Sequence, residues 1–140
     1  MSNDFLSTLL VGPDPESRLV MLEIFRRAGW RLHEARDRKR ALAFLERNPV
    51  HVVVANAEFR KWPWKQVFAD LQRMSPAPQL VVCSRMADEA LWAEVLNWGG
   101  HDVLVEPLEP PEVERVVASA RRHFDPQFAR FPRAQATAAS

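Results

Sequence analysis

Residue types that could support chemistry gather around Asn56, which ends the unbroken apolar run Val52–Ala55. A run without polar alternation predicts a strand covered on both faces in the middle of a parallel sheet. Ligands and reactions in open α/β sheets concentrate just beyond the carboxyl ends of such strands. Asn56 occupies this position, but its amide is neither a nucleophile nor an acid nor a base. The sequence therefore offers no covalent catalyst at this strand end.

Other residues that could bind a metal ion or a phosphate are scattered. The four histidines lack the spacing of metal ligands: His33, His51, His101 and His123. The single cysteine, Cys83, excludes an intramolecular disulfide and fits a reducing compartment. The first turn reads GPDPES, which is not a glycine-rich phosphate loop. We therefore expect no metal site among these residues.

The bulk composition is typical of a soluble globular protein. The 140 residues fit one domain, with 47% hydrophobic and 26% charged residues. A net charge of +1 does not favour nucleic acid or an anionic membrane as a partner. The N-terminus lacks the basic region of a signal peptide, and no apolar run approaches the roughly 20 residues needed to span a bilayer. We therefore expect a cytoplasmic protein.

Strand and helix signals alternate along the chain. Five strands are predicted: Leu6–Val11, Trp30–Ala35, Val52–Asn56, Leu80–Ser84 and Asp102–Glu106. Five helices are predicted between and after them: Pro15 to a stop at Gly29, Arg36–Asn48, Pro63–Met74, Ala87–Trp98 and one that opens at Pro110. This alternation predicts an α/β domain over residues 1–124 with helices on both faces of a parallel sheet. Periodicity disappears from Asp125, so residues 125–140 are predicted to form a flexible tail.

Helical spacing assigns each helix an inward face. In the first helix this face comprises Leu19, Val20, Leu22, Ile24 and Phe25, with Ser17 on the opposite side. In the fourth helix it comprises Leu91, Ala93, Val95 and Leu96, and in the fifth Val113, Val116, Val117 and Ala120.

Four landmarks, in this order, resemble the receiver domain of bacterial response regulators, the flavodoxin-like fold typified by CheY. They are LLVGPDPESR at the first helix, HVVVAN at the third strand, LVVCS at the fourth strand, and NWGGHDVLVEPLEPPEV around the fifth strand. The resemblance covers Ser7 to about Phe124. It implies a three-layer (βα)5 sandwich with strand order 2-1-3-4-5 and a role in two-component signal transduction.

The resemblance also implies a chemistry for the strand ends. In a phosphorelay, a receiver takes a phosphoryl group onto an aspartate ending the third strand; an acidic pair after the first strand holds Mg²⁺, and a hydroxyl and a lysine contact the phosphoryl group. Here the acidic pair falls on Gly12 and Pro13, the acceptor on Asn56 and the lysine on Glu106, while the hydroxyl is kept as Ser84. The resemblance therefore implies a pseudo-receiver that takes no phosphate and needs no metal or cofactor.

Two further positions, Asp14 and Arg85, complete this degenerate pocket. Asp14 is the one carboxylate on the first loop, and its position is better explained as the N-cap of the first helix. Arg85 replaces a small residue, and it either forms a buried ion pair with Glu106 or points into solvent. The Glu106–Pro107 bond lies where the family commonly has a cis peptide.

The aromatic residues indicate where a partner would bind. Trp92 and Trp98 lie on the fourth helix, and Val103 replaces the switch aromatic of the fifth strand, so these three mark the expected partner surface. Trp62 is a weaker candidate for the same role. Trp30 and Trp64 are expected to pack inside the domain.

The sequence leaves three functions open. The first is a non-enzymatic module that binds a kinase, an output protein or a second copy of itself through the face formed by the fourth helix, fifth strand and fifth helix. The second is a conventional phosphoacceptor with unusual metal ligands. The third is a regulatory module that binds a small anion or nucleotide near Arg85.

Overall fold

A computed structural model describes residues 6–124, in which five strands and five helices alternate. The strands are β1 (Ser7–Val11), β2 (Arg31–Ala35), β3 (Val52–Asn56), β4 (Gln79–Ser84) and β5 (Asp102–Val105). The helices are α1 (Pro15–Ala28), α2 (Arg38–Arg47), α3 (Trp64–Leu71), α4 (Glu89–Trp98) and α5 (Pro110–Phe124). The predicted alternation is confirmed: β3 has the predicted bounds, and the ends of the other elements differ from the prediction by at most three residues. The predicted tail, 125–140, lies outside the described residues, so its boundary stays a prediction.

All five strands form one parallel sheet in the order β2-β1-β3-β4-β5, as predicted. Every residue of β1 and β3 is buried, whereas β2 lies at an edge and is mostly accessible. The unbroken apolar run therefore does correspond to a central strand covered on both faces. Because the strands are parallel, the chain segments that follow β1, β3, β4 and β5 all leave the sheet at the same end, where the carboxyl ends of the strands lie.

Two hydrophobic clusters cover the sheet, one on each face. Strand alternation places Leu9 in one cluster and Leu10 in the other. The first cluster includes buried residues of α2, α3 and α4, and the second includes buried residues of α1 and α5. The predicted inward face of α5 is buried throughout: Val113, Val116, Val117 and Ala120. The result is the predicted three-layer sandwich.

The predicted inward face of α1 was partly wrong. Leu19 and Leu22 are 64% and 40% exposed, while Ser17 lies buried beside the sheet. The buried stripe consists of Ser17, Met21, Ile24 and Phe25, and the Ser17 hydroxyl donates to Glu106, 89 positions further along the chain. This hydrogen bond favours a helix rotation in which Ser17, rather than Leu19, faces inward.

Helix α4 also departs from its predicted face. Among its residues only Val95 is buried, while Ala93 and Leu96 are exposed. Asp88 caps its N-terminus by accepting from the Leu91 amide at 2.8 Å. The helix is therefore well capped but shallowly anchored. None of the described helices is long and apolar enough to cross a membrane.

Candidate functional site

The edge where the strands end carries the predicted pocket residues. Asn56 and Ser84 end neighbouring strands, since β3 pairs with β4, and Glu106 directly follows β5. All three residues are buried. The structure therefore brings the predicted residues to one edge, and the neighbours they meet there decide the chemistry.

The side-chain amide of Asn56 forms a hydrogen bond with the backbone of the loop that follows β3. Its Oδ1 accepts a hydrogen bond from the Glu58 amide at 2.7 Å, and its carbonyl accepts from the Phe59 amide at 3.1 Å. This arrangement is a local turn of the kind that Asn and Asp side chains stabilise. Asn56 thus directs the loop after β3 back over the strand ends.

Phe59 fills the space beside Gly12. Gly12 has φ 59°, and a Cβ added there would lie 2.1 Å from a Phe59 ring carbon. No side chain fits at this position unless the ring moves, and the left-handed backbone disfavours one as well. The ring thus covers the place from which the first acidic metal ligand of a receiver would extend. Sequence reasoning missed Phe59.

The Ser84 hydroxyl is already hydrogen-bonded within the chain. It donates to Glu58 Oε2 at 2.5 Å and accepts from the Met86 amide at 2.9 Å. The other Glu58 oxygen lies 3.5 Å from the Arg85 amide nitrogen. A carboxylate of this protein therefore occupies the hydroxyl that the family resemblance assigns to a phosphoryl group. Glu58 was not among the predicted pocket residues.

Glu106 is a buried carboxyl group, only 6% exposed. Its Oε2 accepts a hydrogen bond from the Ser17 hydroxyl at 2.5 Å, while Oε1 has no hydrogen-bond partner among the described residues. Burial raises the pKa of this carboxyl, and the negative charges of Asp14 and Glu58 raise it further. The group therefore retains its proton to higher pH than an ordinary glutamate. The Glu106–Pro107 peptide is cis, as the resemblance implied.

Asp14 is the N-cap of α1, as predicted, and it also binds Arg85. Its Oδ1 accepts from the Ser17 amide at 2.8 Å, and its Oδ2 lies 3.4 Å from an Arg85 guanidinium nitrogen. Burial opposes ionisation, but these two donors outweigh it and lower the pKa of Asp14. Of the two alternatives left open for Arg85, the buried pair with Glu106 does not form, and the accessible position is the one observed. Arg85 has a side chain 63% exposed at the rim, where it pairs with ionised Asp14 instead.

The pocket does not fit the Mg²⁺ ion of a working receiver. The acidic pair is replaced by Gly12 and Pro13, and the phenyl ring of Phe59 lies over the first of them. Among residues 6–124, no three histidine, cysteine, aspartate or glutamate side chains are close enough to hold a metal ion. A hard cation would have to lose water for few oxygen ligands in return.

The residues expected to form the partner surface lie in separate places in the structure. Trp92 is 50% exposed and donates from Nε1 to Asp102 at 3.1 Å, beside β5. Trp98 is 45% exposed but contacts Trp64 edge-on, on the α3 side. The two tryptophans do not form one surface. Val103 is largely buried, at 7% exposed, and lies on the Trp92 side.

The exposed residue of β5 is Val105, which is 58% exposed. Trp92 and Val105 line an open groove of about 500 Å³ between α4, β5 and α5. Val103 forms part of its floor, because alternate residues of a strand point to the same face.

Trp62 is a core residue and not a partner contact. It is 1% exposed, and its Nε1 donates to Asp70 at 2.9 Å. Asp70 also accepts from the Arg38 guanidinium at 2.8 Å. The Trp62 side chain enters the core because Asp70 satisfies its polar nitrogen there.

Comparisons with known proteins agree with this architecture. No family model matches the chain. Over 106 residues the chain is 22% identical to the chemotaxis protein CheY of Thermotoga maritima, and the match covers 75% of this chain and 88% of that protein. The signal receiver domain of an HD domain-containing protein from Pseudomonas fluorescens Pf-5 superposes with a TM-score of 0.73 at 22% identity, over 85% of this chain and 96% of that chain.

A second solved structure gives the same result. The chemotaxis response regulator CheY4 of Vibrio cholerae superposes with a TM-score of 0.72 at 15% identity, over 83% of this chain and 98% of that chain. At these identities the superpositions establish the fold, and the match to CheY adds similarity in sequence. In strand order and layer arrangement the chain has the fold of CheY-like receiver domains, and in sequence it is similar to CheY.

Proposed function

We propose that this receiver domain works without phosphorylation, by binding another protein, and that it is not an enzyme. The observation that carries the proposal is the hydrogen bond between Ser84 and Glu58. An intramolecular carboxylate holds the one pocket hydroxyl that the resemblance assigns to phosphoryl binding. The domain would therefore present a single conformation, independent of a phosphoryl donor.

The electrostatics of the strand ends support the same proposal. A phosphoryl group carries negative charge and needs cations or hydrogen-bond donors around it. Here it would meet the carboxyl groups of Asp14, Glu58 and Glu106. Arg85 is the one nearby cation among the described residues, and it already pairs with Asp14. Incoming phosphate would lose its water and meet charge repulsion.

The acceptor position gives a third argument. Asn56 carries an amide, which does not attack phosphorus as a carboxylate does. Its oxygen is also engaged with the Glu58 amide. Mutating Asn56 to aspartate would restore a nucleophile, but not the metal ligands or the missing lysine.

Protein binding is a role that needs no phosphoryl group, and the groove between α4, β5 and α5 is a suitable surface for it. Trp92 and Val105 are large apolar side chains left accessible at its edge. Exposed tryptophan is enriched among residues that dominate binding energy. We propose that a kinase, an output protein or a second copy of this chain binds here, in the cytoplasm.

The test is an amide NMR titration with Mg²⁺ and beryllofluoride, which mimics an acyl phosphate. We expect the resonances of Asn56, Ser84 and Glu106 to stay in place, both in the wild type and in Asn56→Asp. The double variant Asn56→Asp/Glu58→Ala serves as the matched comparison because it also frees the hydroxyl. Saturable shifts in the wild type that reach α4 would contradict the proposal.

The same titration separates the two alternatives. A phosphoacceptor with unusual ligands would use Asp14 or Glu58, and substituting either would abolish metal-dependent shifts. An anion site at Arg85 would give shifts with inorganic phosphate alone. The acidic residues around Arg85 and its pairing with Asp14 favour neither a phosphoacceptor with unusual ligands nor an anion site.

A further inference from the structure

A second cavity lies at the carboxyl ends of β1 and β2, apart from the groove at α4. It has a volume of about 550 Å³ and is bounded by the start of α1, the loop after β2 and the loop after β3. This volume lies in the range of cavities that hold small molecules, roughly 300–1,000 Å³. The cavity plays no part in the proposed protein binding.

One wall of this cavity is apolar and accessible. It comprises Pro13, Pro15, Leu19 and the half-buried ring of Phe59. Leu19 is 64% exposed, the second-largest exposed fraction among the large hydrophobic residues of the described chain. Leucine and phenylalanine at the mouth of a concave cavity offer contact to a ligand with an apolar body.

Four charged residues line the cavity, and two of them form an ion pair with each other. Arg18 binds Glu34 through Nε at 2.8 and 3.0 Å, which leaves this pair neutral. Arg36 and Lys61 also line the cavity, and their side chains make no hydrogen bond or ion pair to any residue in 6–124. Two cations that share a cavity and have no counter-ion within the described part of the chain favour an anion between them.

We propose that this cavity binds a small organic anion, with a flat apolar body against Leu19 and Phe59 and a phosphate or carboxylate between Arg36 and Lys61. An inorganic anion alone would leave the apolar wall in water. An apolar molecule alone would leave the two cations without a counter-ion. The ligand therefore has both an apolar body, which covers the wall, and an anionic group, which pairs with the two cations.

The test is an amide NMR titration of the full chain with phenyl phosphate. We expect saturable shifts at Gly12, Arg36 and Lys61. Inorganic phosphate, which lacks the ring, and benzyl alcohol, which lacks the charge, are each expected to bind about tenfold more weakly or not at all. Benzylamine, with the opposite charge, is expected to give no shifts. Shifts from phenyl phosphate around Ser84 and Arg85 instead would overturn the proposal.

Matched variants assign the binding to this cavity. Arg36→Gln and Lys61→Gln are each expected to weaken phenyl phosphate binding about twofold to fivefold, as expected for a single accessible ion pair. Arg60→Gln is the control, because this exposed arginine lies in the same loop and does not line the cavity. Leu19→Ser is expected to weaken phenyl phosphate but not inorganic phosphate. If Arg60→Gln has the same effect as Lys61→Gln, the attraction is general surface charge and the proposal is wrong.

Discussion

Glu58 Oε2 accepts a 2.5 Å hydrogen bond from the hydroxyl of Ser84, a residue 26 positions away in the chain. The contact joins the loop after β3 to the end of β4. Ser84 is fully buried, and the Met86 amide donates to the same hydroxyl. The hydroxyl proton therefore depends on Glu58 for its acceptor.

Glu58→Ala should consequently destabilise the domain. A hydrogen bond to a charged group contributes about 1.5–3 kcal/mol to the free energy of unfolding, and here a buried donor loses its acceptor. Glu58→Gln is the control, since its amide oxygen still accepts and less than half of the loss is expected. Urea unfolding measures both. An unchanged midpoint in Glu58→Ala would show that the hydrogen bond is dispensable.

Substitution of Gly12 should be costly because Phe59 lies against it. We expect Gly12→Ala to lower the free energy of unfolding by at least about 2 kcal/mol, from the left-handed backbone and the overlap with the ring. Adding Phe59→Ala removes the overlap but not the backbone cost. The double variant should therefore lose less than the sum of the two single variants. Strictly additive losses in urea unfolding would contradict the close approach.

Glu106 should make stability depend on pH. Its pKa is raised in the folded state, so the folded protein binds the proton more tightly than the unfolded chain. The stabilisation is complete below the unfolded pKa and is lost as pH rises through the folded pKa. Glu106→Gln removes this loss, because its amide stays neutral. The stability of this variant relative to the wild type should accordingly be higher at pH 8 than at pH 5.

His51 should act in the opposite direction. Burial, with a smaller effect from Arg121, lowers its pKa to about 4, and its Nδ1 accepts from the Ser7 amide at 3.0 Å. The unfolded chain therefore binds this proton more readily below pH 6.5. Stability should fall between pH 6.5 and 4, by up to about 3 kcal/mol at about 1.4 kcal/mol per pKa unit.

His51→Asn tests this titration directly. It keeps an acceptor for the Ser7 amide and removes the titrating group, so it should flatten the loss between pH 6.5 and 4. His33→Gln is the comparison: burial and the Arg31 charge also lower the pKa of this half-buried histidine, but less than that of His51, so this variant should flatten the loss less than His51→Asn does. An unchanged acid profile in His51→Asn would assign the loss to other groups.

Two tryptophans provide a matched comparison of burial. Trp62 and Trp92 both donate from Nε1 to an aspartate, but they are 1% and 50% exposed. Trp62→Phe removes the buried donor of Asp70, leaves the Arg38 guanidinium as its remaining partner, and should cost about 2 kcal/mol. Trp92→Phe should change stability by less than about 0.5 kcal/mol. Equal losses in thermal unfolding would contradict the assignment of Trp62 to the core.

The strands of the sheet were predictable because each is identified by residues that are adjacent in the sequence. The run Val52–Ala55 has no polar residue, so only a central strand buries it without loss. Asp14 and Pro15 identify the start of α1 in the same local way, and the structure confirms the cap. Strand order came from the resemblance, since periodicity alone does not choose between topologies.

The contents of the pocket were less predictable, because distant side chains determine them. Ser17 and Glu106 are 89 positions apart, and nothing near Ser17 in the sequence indicates that its hydroxyl faces inward. Leu19 was placed inside because hydrophobic spacing ignores such contacts. Phe59 could have been suspected from Gly12, since a glycine where a side chain is usual leaves room for a neighbour.

Helix α4 has one buried residue, Val95, and two tryptophans on different sides. Little apolar surface is therefore exposed again when this helix separates from the sheet. Its amide protons should exchange with solvent long before those of β1 or β3, through openings that leave the rest of the domain folded. If a protein binds at Trp92 as proposed, reshaping this helix would cost little free energy, and the surface would adapt to the partner without deforming the sheet.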